Sequence, residues 1–100
     1  MVLNINTKDS KIVKVSLKKN GKMIKELIEE NKYGSQVLLP LIIKLLRTTN
    51  YQLQTLTGIE VETGQGSFTG LRVGVAVANA LAFVLGIPVN GKKTEVELNY

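Results

Sequence analysis

Hydrophobic and polar residues alternate through the first third of the chain, and this alternation predicts β-strands. In the strand predicted over residues 11–18, Val13, Val15 and Leu17 alternate with Lys14, Ser16 and Lys18, so one side of the strand is expected to be buried. Residues 2–6 form a shorter β-type run, and residues 22–30 are expected to be the return strand. The Asn20-Gly21 dipeptide between the two longer runs is typical of a type I′ hairpin turn. The chain is therefore predicted to open with an antiparallel meander of three strands.

A long apolar stretch after the meander predicts a first helix over residues 35–48. Ser35 is a candidate N-cap, and Pro40 falls near the first turn, where a missing N–H costs least. The apolar residues cover most of the helix circumference, whereas a surface helix normally has one apolar stripe. This helix is therefore expected to have more apolar surface than one sheet face can cover, and a partner is expected to cover the rest.

The second half of the chain predicts a strand, a glycine-rich turn and a second helix. Residues 56–63 are expected to form a fourth strand, and the turn at residues 64–70 leads into a helix over residues 69–85. This helix has no charged residue after Arg72. Gly86 is expected to end it as a C-cap, and a fifth strand is expected to start at Ile87-Pro88-Val89.

The predicted order β-β-β-α-β-α-β gives an α/β fold, with a five-stranded mixed sheet and two helices on one face. It is the order of a single actin-like, ribonuclease-H-like lobe. Because the strands alternate instead of being apolar throughout, the other sheet face is expected to be wet. Residues 1–100 are predicted to form one domain, in which residues 90–100 are a polar tail or a short extra strand.

Composition limits the chemistry that this chain can perform. A chain of 100 residues with 44% hydrophobic content can build one core. The sequence has no cysteine and no histidine, so it lacks disulfides, thiolate ligands and the commonest general base, and no metal or cofactor is expected. No signal peptide is recognised, and the apolar run 73–89 is short for a membrane span and contains glycine and proline. We expect a cytoplasmic protein without a membrane partner.

The chain is basic, with a formal charge of +5 and seven lysines between residues 8 and 25. A basic patch of this kind attracts RNA, and Lys14 and Lys18 are the candidate contacts. No aromatic residue lies among the lysines to stack on bases. A solvated strand face is the simpler interpretation, and it stays open beside RNA binding.

The glycine-rich turn is a candidate anion site, because a strand-to-helix turn directs backbone N–H groups outward. It lacks the lysine of a P-loop, and a tight connection with close packing explains it equally well. An ATPase-like, nucleotide-binding half-domain is therefore the alternative function. A two-metal nuclease would need clustered carboxylates, and Glu60 and Glu62 are candidates, but Asn6 interrupts the set. The candidate anion residues are Gly64, Gly66, Ser67 and Thr69.

Residues 64–74 read Gly-Gln-Gly-Ser-Phe-Thr-Gly-Leu-Arg-Val-Gly, which resembles the G-x-G-S-F-T-G-x-R-x-G signature of the TsaB (YeaZ-like) family. The resemblance extends over residues 34–89. It implies a non-catalytic subunit for tRNA threonylcarbamoyladenosine modification, which docks on a TsaD-type transferase or on itself as a homodimer. A TsaE-type ATPase would join the complex, and tRNA would be contacted only through the complex. The chain departs from the family where Asn6 replaces an Asp and Gln65 replaces a Pro, and it covers only the N-terminal lobe.

The resemblance also implies which residues form the partner interface. On the first helix these are Leu38, Leu39, Ile42, Leu45 and Leu46. On the second helix they are Arg72, Val73, Val77, Ala80 and Leu81. From the residues alone, small side chains recur every four positions along the second helix, and they form a ridge that lets another helix or the chain's own sheet approach closely. The ridge consists of Gly70, Gly74, Ala78 and Ala82.

Overall fold

The alternating residues at the start of the chain form the sheet that their pattern predicts. The structure is a computed structural model, which describes residues 1–30 and 37–92. Its strands lie in the order β3-β2-β1-β4, and only the β1–β4 pair is parallel. The elements are β1 (Val2–Asn6), β2 (Ile12–Lys19), β3 (Lys22–Glu30), α1 (Leu38–Thr49), β4 (Gly58–Val61) and α2 (Phe68–Leu85).

The hairpin between β2 and β3 confirms the turn predicted from Asn20-Gly21. Both residues have positive φ, 54° for Asn20 and 78° for Gly21, as a type I′ turn requires. Lys19 and Lys22 are directly opposite each other beside the turn, and the register shifts between Leu17 and Lys18. The turn therefore fixes the register of the two longest strands.

One face of the sheet carries the hydrophobic core. Leu3 and Ile5 of β1 are fully buried, as are Leu17 of β2 and Ile59 of β4. Helix α1 packs on β2 and β3, and α2 packs on β1 and β4, so both helices cover the same face. The alternate residues face the other side, where Asn4 is aligned with Ser16 on β2 and Glu60 on β4. Glu60 is exposed and Asn4 is half-buried, whereas Ser16, in the middle of the sheet, is only 4% exposed. This polar face agrees with the predicted wet side.

Helix α1 is shorter at its start and one residue longer at its end than its pattern predicts. It begins at Leu38 after Val37 and ends at Thr49, where Asn50 adopts the left-handed conformation with φ of 61°. Asparagine tolerates this conformation better than most residues, so it can end a helix as glycine does. The predicted N-cap Ser35 lies outside the described residues.

The prediction of a fifth strand at residues 87–89 is wrong, because the chain turns back directly after it. Val89 makes only an isolated parallel bridge to Ile59. Asn90 and Gly91 have φ of 51° and 78° and form a second tight turn, closed by hydrogen bonds between Val89 and Lys92. The fourth strand is also shorter than the predicted 56–63. Among the described residues, the sheet therefore has four strands instead of five.

The side chain of Asn90 then completes the edge of β4. Its Oδ1 accepts a 2.8 Å hydrogen bond from the Val61 N–H, and its Nδ2 donates a 3.1 Å hydrogen bond to the Val61 carbonyl. A carboxamide is able to do this because it carries a donor and an acceptor together. One side chain thus takes the place of a paired strand residue.

Helix α2 is the most apolar element of the chain. Its 18 residues have a mean hydropathy of 1.8. By length and composition alone it could cross a membrane, and it is the one such helix among the described residues. One third of it is buried in the chain, against the sheet. Gly86, with φ of 67°, caps its end as predicted.

Candidate docking surface and glycine turn

The glycine-rich turn lies directly on the connection between β1 and β2. The Ser67 N–H donates a 2.6 Å hydrogen bond to the Lys8 carbonyl, and Ser67 Oγ accepts a 3.3 Å hydrogen bond from the Gly70 N–H. A β-carbon at Gly66 would collide with Lys8. The turn is therefore compact because it must approach another backbone segment closely.

The ridge of small residues continues this close approach along α2. The Thr7 hydroxyl donates a 2.6 Å hydrogen bond to the Gly70 carbonyl, and Thr7 is only 2% exposed. A β-carbon at Gly70 would overlap the Thr7 carbonyl, and one at Gly74 would overlap the Thr7 hydroxyl. The next residues of the ridge, Ala78 and Ala82, are also buried. The structure thus places the ridge against the chain's own sheet, the second of its two sequence interpretations.

The candidate anion residues are partly occupied by these internal contacts. The N–H groups of Ser67 and Gly70 are already donated within the chain. Ser67 and Thr69 line a cavity of about 340 Å³ together with the hydroxyl-bearing residues Thr7 and Ser10. No lysine or arginine lines this cavity among the residues that the structure describes. The arrangement does not favour a phosphate cradle, which depends on free N–H groups and a cation.

A second cavity of about 500 Å³ separates the two helices and is lined mostly by apolar side chains. Leu39 and Ile43, one turn apart on α1, are each 47% exposed beside it. Leu81 lines the opposite side from α2. We call this cavity the helix groove; its apolar lining consists of Leu39, Ile42, Ile43, Leu46, Tyr51, Leu53 and Leu81.

The outer face of α2 adds further exposed apolar surface. Phe83 is 88% exposed and Val84 is 78% exposed, and Ala76 and Ala80 are exposed on the preceding turns. Residues three or four apart lie on one helix face, so Phe83 and Val84 continue the row that Ala80 begins. We call these four residues the α2 outer face. Large apolar side chains this exposed are typical of a surface that another molecule covers.

The residues predicted for the partner interface divide into two groups. Leu38, Ile42, Leu45 and Leu46 of α1 are buried in the core, because they are the side of the helix that packs on β2 and β3. Leu38 and Leu45 therefore offer no surface to a partner, whereas Ile42 and Leu46, although buried, also line the helix groove. The rest are exposed or half-buried: Leu39, Arg72, Val73, Val77, Ala80 and Leu81.

Four exposed residues were missed in the sequence prediction of this surface: Ile43, Ala76, Phe83 and Val84. Helical spacing could have indicated them, because Ile43 follows Leu39 by one turn and Phe83 follows Ala80 by three residues. Arg72 lies near the start of α2, with its guanidinium 5.5 Å from the centre of the Phe68 ring.

The two candidate RNA contacts lie apart on β2. Lys14 is aligned with Asn6 and Ile28 in the middle of the sheet, whereas Lys18 is aligned with Val2 and Met23 next to the hairpin turn. Four residues of extended strand separate them by about 13 Å. Only Lys18 therefore lies near the other lysines of the hairpin.

The carboxylates considered for a nuclease site do not form a metal centre. In the described residues, no group of three or more Asp or Glu side chains could hold a metal ion. Glu60 is exposed on β4, and Asn6 Oδ1 accepts a 3.2 Å hydrogen bond from the Lys8 N–H. Asn6 thus stabilises the connection that follows β1.

Comparison with known proteins identifies the family. Residues 19–93 match the family model described as TsaD: tRNA N6-adenosine threonylcarbamoyltransferase. The TsaB protein of Bacillus subtilis (strain 168) is 35% identical over 77 residues, which are 76% of this chain and 34% of that protein. A tRNA N6-adenosine threonylcarbamoyltransferase of Nitrosomonas eutropha is 40% identical over 52 residues, which are 52% of this chain and 15% of that protein.

The solved structure of YeaZ from Pseudomonas aeruginosa superposes with a TM-score of 0.79 at 30% identity. The superposition covers 88% of this chain and 41% of YeaZ. The chain spans about a quarter to a third of the length of the TsaB relatives that it matches. The resemblance to TsaB (YeaZ-like) proteins is confirmed, and the chain belongs to the family described by the TsaD model.

Proposed function

We propose that the chain is a non-catalytic partner subunit for tRNA threonylcarbamoyladenosine modification. It docks through the helix groove and the α2 outer face, on a TsaD-type transferase or on a second copy of itself. The names of its TsaB and transferase relatives support this pathway. In this proposal a TsaE-type ATPase joins the complex, tRNA is reached through the complex, and the cytoplasm is the site of action.

The observation that carries the proposal is the exposure of large apolar side chains on both helices. Phe83 and Val84 are more than three-quarters exposed, and Leu39 and Ile43 are each half-exposed beside the groove. Burying such side chains contributes about 1.5–3 kcal/mol each, so a partner that fills the groove gains substantial free energy. Tyr51, which lines the same groove, provides the kind of amphipathic aromatic that is enriched in protein interfaces.

The residue types support a docking role over a catalytic one. The sequence has no histidine and no cysteine, and the signature glycines Gly66, Gly70 and Gly74 are taken up by close contacts with the β1–β2 connection. Its one buried side-chain hydroxyl beside the turn, that of Thr7, is held by Gly70. These groups are therefore structural, and most of the exposed side chains of α2 are apolar.

The proposal is tested by placing a charge on the apolar surface. We would compare the wild type with Leu39→Glu and Phe83→Glu by size-exclusion chromatography with light scattering, alone and with a TsaD-type transferase. Tenfold weaker association corresponds to about 1.4 kcal/mol, and burying an unpaired carboxylate in an apolar interface costs more than that, so each variant is expected to weaken association by about tenfold or more. Leu45 is unsuitable for this test because it is fully buried, and a charge there would unfold the chain.

A matched control introduces the same charge on another exposed apolar residue. Ile28 on β3 is 53% exposed and lies away from both helices, so Ile28→Glu is expected to leave association unchanged. A wild type that stays monomeric both alone and with the transferase would contradict the proposal. Equal association of wild type, Leu39→Glu and Phe83→Glu would contradict it as well.

A further inference from the structure

The end of the β2–β3 hairpin concentrates positive charge. Lys19 and Lys22 are paired directly across the turn, and Lys18 and Lys25 follow them on the two strands. Lys18 is half-buried and the other three are exposed. We call these four residues the lysine tip. Residues opposite each other in an antiparallel pair have Cβ atoms about 5 Å apart, so the Lys19 and Lys22 charges repel each other.

No carboxylate lies in this part of the hairpin to offset the repulsion. The acidic residues of β3 are Glu26, at the middle of the strand next to Lys25, and Glu29 and Glu30 at its far end. Their cross-strand partners are Ser16, Val13 and Ile12, which are uncharged. Charge is therefore separated along β3, with lysine toward the turn and glutamate away from it. A bound polyanion would relieve the repulsion at the lysine tip.

Protection of the sheet edge explains only half of the lysine tip. Lysines on an edge strand prevent pairing with other chains, and β3 is an edge strand, so Lys22 and Lys25 fit that role. Lys18 and Lys19 belong to β2, which has a neighbour on each side and needs no such protection. The concentration of charge on both strands points to a ligand.

The arrangement of the lysines fits a nucleic-acid backbone better than a flat anionic surface. Lys18 is aligned with Val2 and Met23 on the polar sheet face, whereas Lys25 is opposite Leu17, which faces the helices. The cations thus surround the tip instead of lying in one plane. Neighbouring phosphates of an RNA strand can follow such a curved set of charges.

We propose that the lysine tip binds the phosphate backbone of RNA. The contact is independent of base sequence, because no aromatic side chain lies in residues 18–25 to stack on a base. The site is formed by the hairpin, whereas the proposed docking surface is formed by the helices. The two sites can therefore be disrupted separately.

The experiment compares two triple variants that have the same net charge. Lys18→Gln/Lys19→Gln/Lys22→Gln removes three of the four lysines of the tip, and Lys8→Gln/Lys11→Gln/Lys44→Gln removes three exposed lysines elsewhere; each changes the formal charge from +5 to +2. Fluorescence anisotropy with a labelled RNA stem-loop would measure affinity between about 50 mM and 200 mM salt. We expect the tip variant to lose at least tenfold in affinity. Its slope of log K against log salt should be shallower by about 2, and the control should keep most of the wild-type binding.

Two further measurements make the outcome specific. Lys18→Arg/Lys19→Arg/Lys22→Arg keeps the charges and is expected to keep RNA binding, and light scattering should show unchanged docking by the Gln tip variant. Equal losses in the two Gln variants would overturn the proposal, because net charge alone would then explain binding. Absence of wild-type binding at about 50 mM salt would overturn it too, as would binding to phosphatidylserine vesicles but not to RNA.

Discussion

The hydroxyl of Thr7 donates a 2.6 Å hydrogen bond to the main-chain carbonyl of Gly70. This bond joins the segment after β1 to the first turn of α2, across 63 residues of sequence. It is buried, and the absence of a β-carbon on Gly70 and Gly74 is what lets the helix come close enough to make it. The start of α2 and the end of β1 are therefore held together as one unit.

Replacing Gly70 with alanine should destabilise the chain. The new β-carbon would overlap the Thr7 carbonyl, which belongs to the backbone and cannot move as a flexible side chain can. Overpacking costs about 1–3 kcal/mol, and an overlap with a backbone oxygen belongs to the upper part of that range, about 2–3 kcal/mol; the better helix propensity of alanine returns about 1 kcal/mol of it. We expect the free energy of unfolding, measured by urea titration, to fall by about 1–2 kcal/mol.

Gly64→Ala is the control, because a β-carbon at Gly64 in the same glycine-rich turn would have no neighbour within 4 Å. It should leave stability unchanged or raise it by up to about 1 kcal/mol by restricting the unfolded chain. If Gly70→Ala and Gly64→Ala gave the same unfolding midpoint, the close contact between α2 and Thr7 would not exist in solution.

Truncation of Leu45 should lower the stability of the chain much more than truncation of Leu39, although both residues were predicted for the partner interface. Leu45→Ala leaves a cavity beneath α1 and is expected to cost about 2–5 kcal/mol of stability, because Leu45 is fully buried. Leu39→Ala, at a half-exposed position of the same helix, is expected to cost less than about 1 kcal/mol. Thermal unfolding of the two variants measures the difference, and a Leu39→Ala protein as unstable as Leu45→Ala would show that α1 packs through another face.

Asn90→Asp should weaken the edge of β4. Aspartate still accepts from the Val61 N–H, but it can no longer donate to the Val61 carbonyl, and loss of one such bond costs about 1 kcal/mol. The control is Asn20→Asp, since Asn20 has a similar φ of 54° and is also followed by glycine. Urea titration should give a lower stability for Asn90→Asp alone, and equal effects would mean that the carboxamide contributes nothing beyond its backbone conformation.

Local patterns predicted the meander and the sheet faces well. Alternation along β2 correctly separated the buried Val13, Val15 and Leu17 from the outward lysines, because side chains of a strand alternate between its two faces. Asn20-Gly21 fixed the hairpin, because positive φ at two successive residues is accessible to few dipeptides. Each of these signals is contained within a few neighbouring residues.

Features that depend on distant contacts could not be predicted in this way. The family resemblance implied that Leu45 belongs to a partner interface, and the apolar circumference of α1 gave no indication that this side of the helix faces the sheet. The glycine-rich turn was interpreted as a candidate anion site. Its packing role could not be foreseen, because its actual neighbours, Thr7 and Lys8, are far away in sequence.

The prediction of a fifth strand failed for a local reason that the sequence does contain, since Asn90-Gly91 repeats the dipeptide of the first hairpin.

Glycines of the signature determine how closely α2 and the turn before it lie against the segment after β1. At Gly66, Gly70 and Gly74, Lys8 and Thr7 leave no room for a methyl group, whereas Gly64 has open space around it. A chain that keeps these glycines keeps the close contact between α2 and the segment after β1, whether or not it binds a nucleotide. In this protein, the signature therefore indicates how two segments of main chain pack together. Binding is expected on the outward surfaces instead.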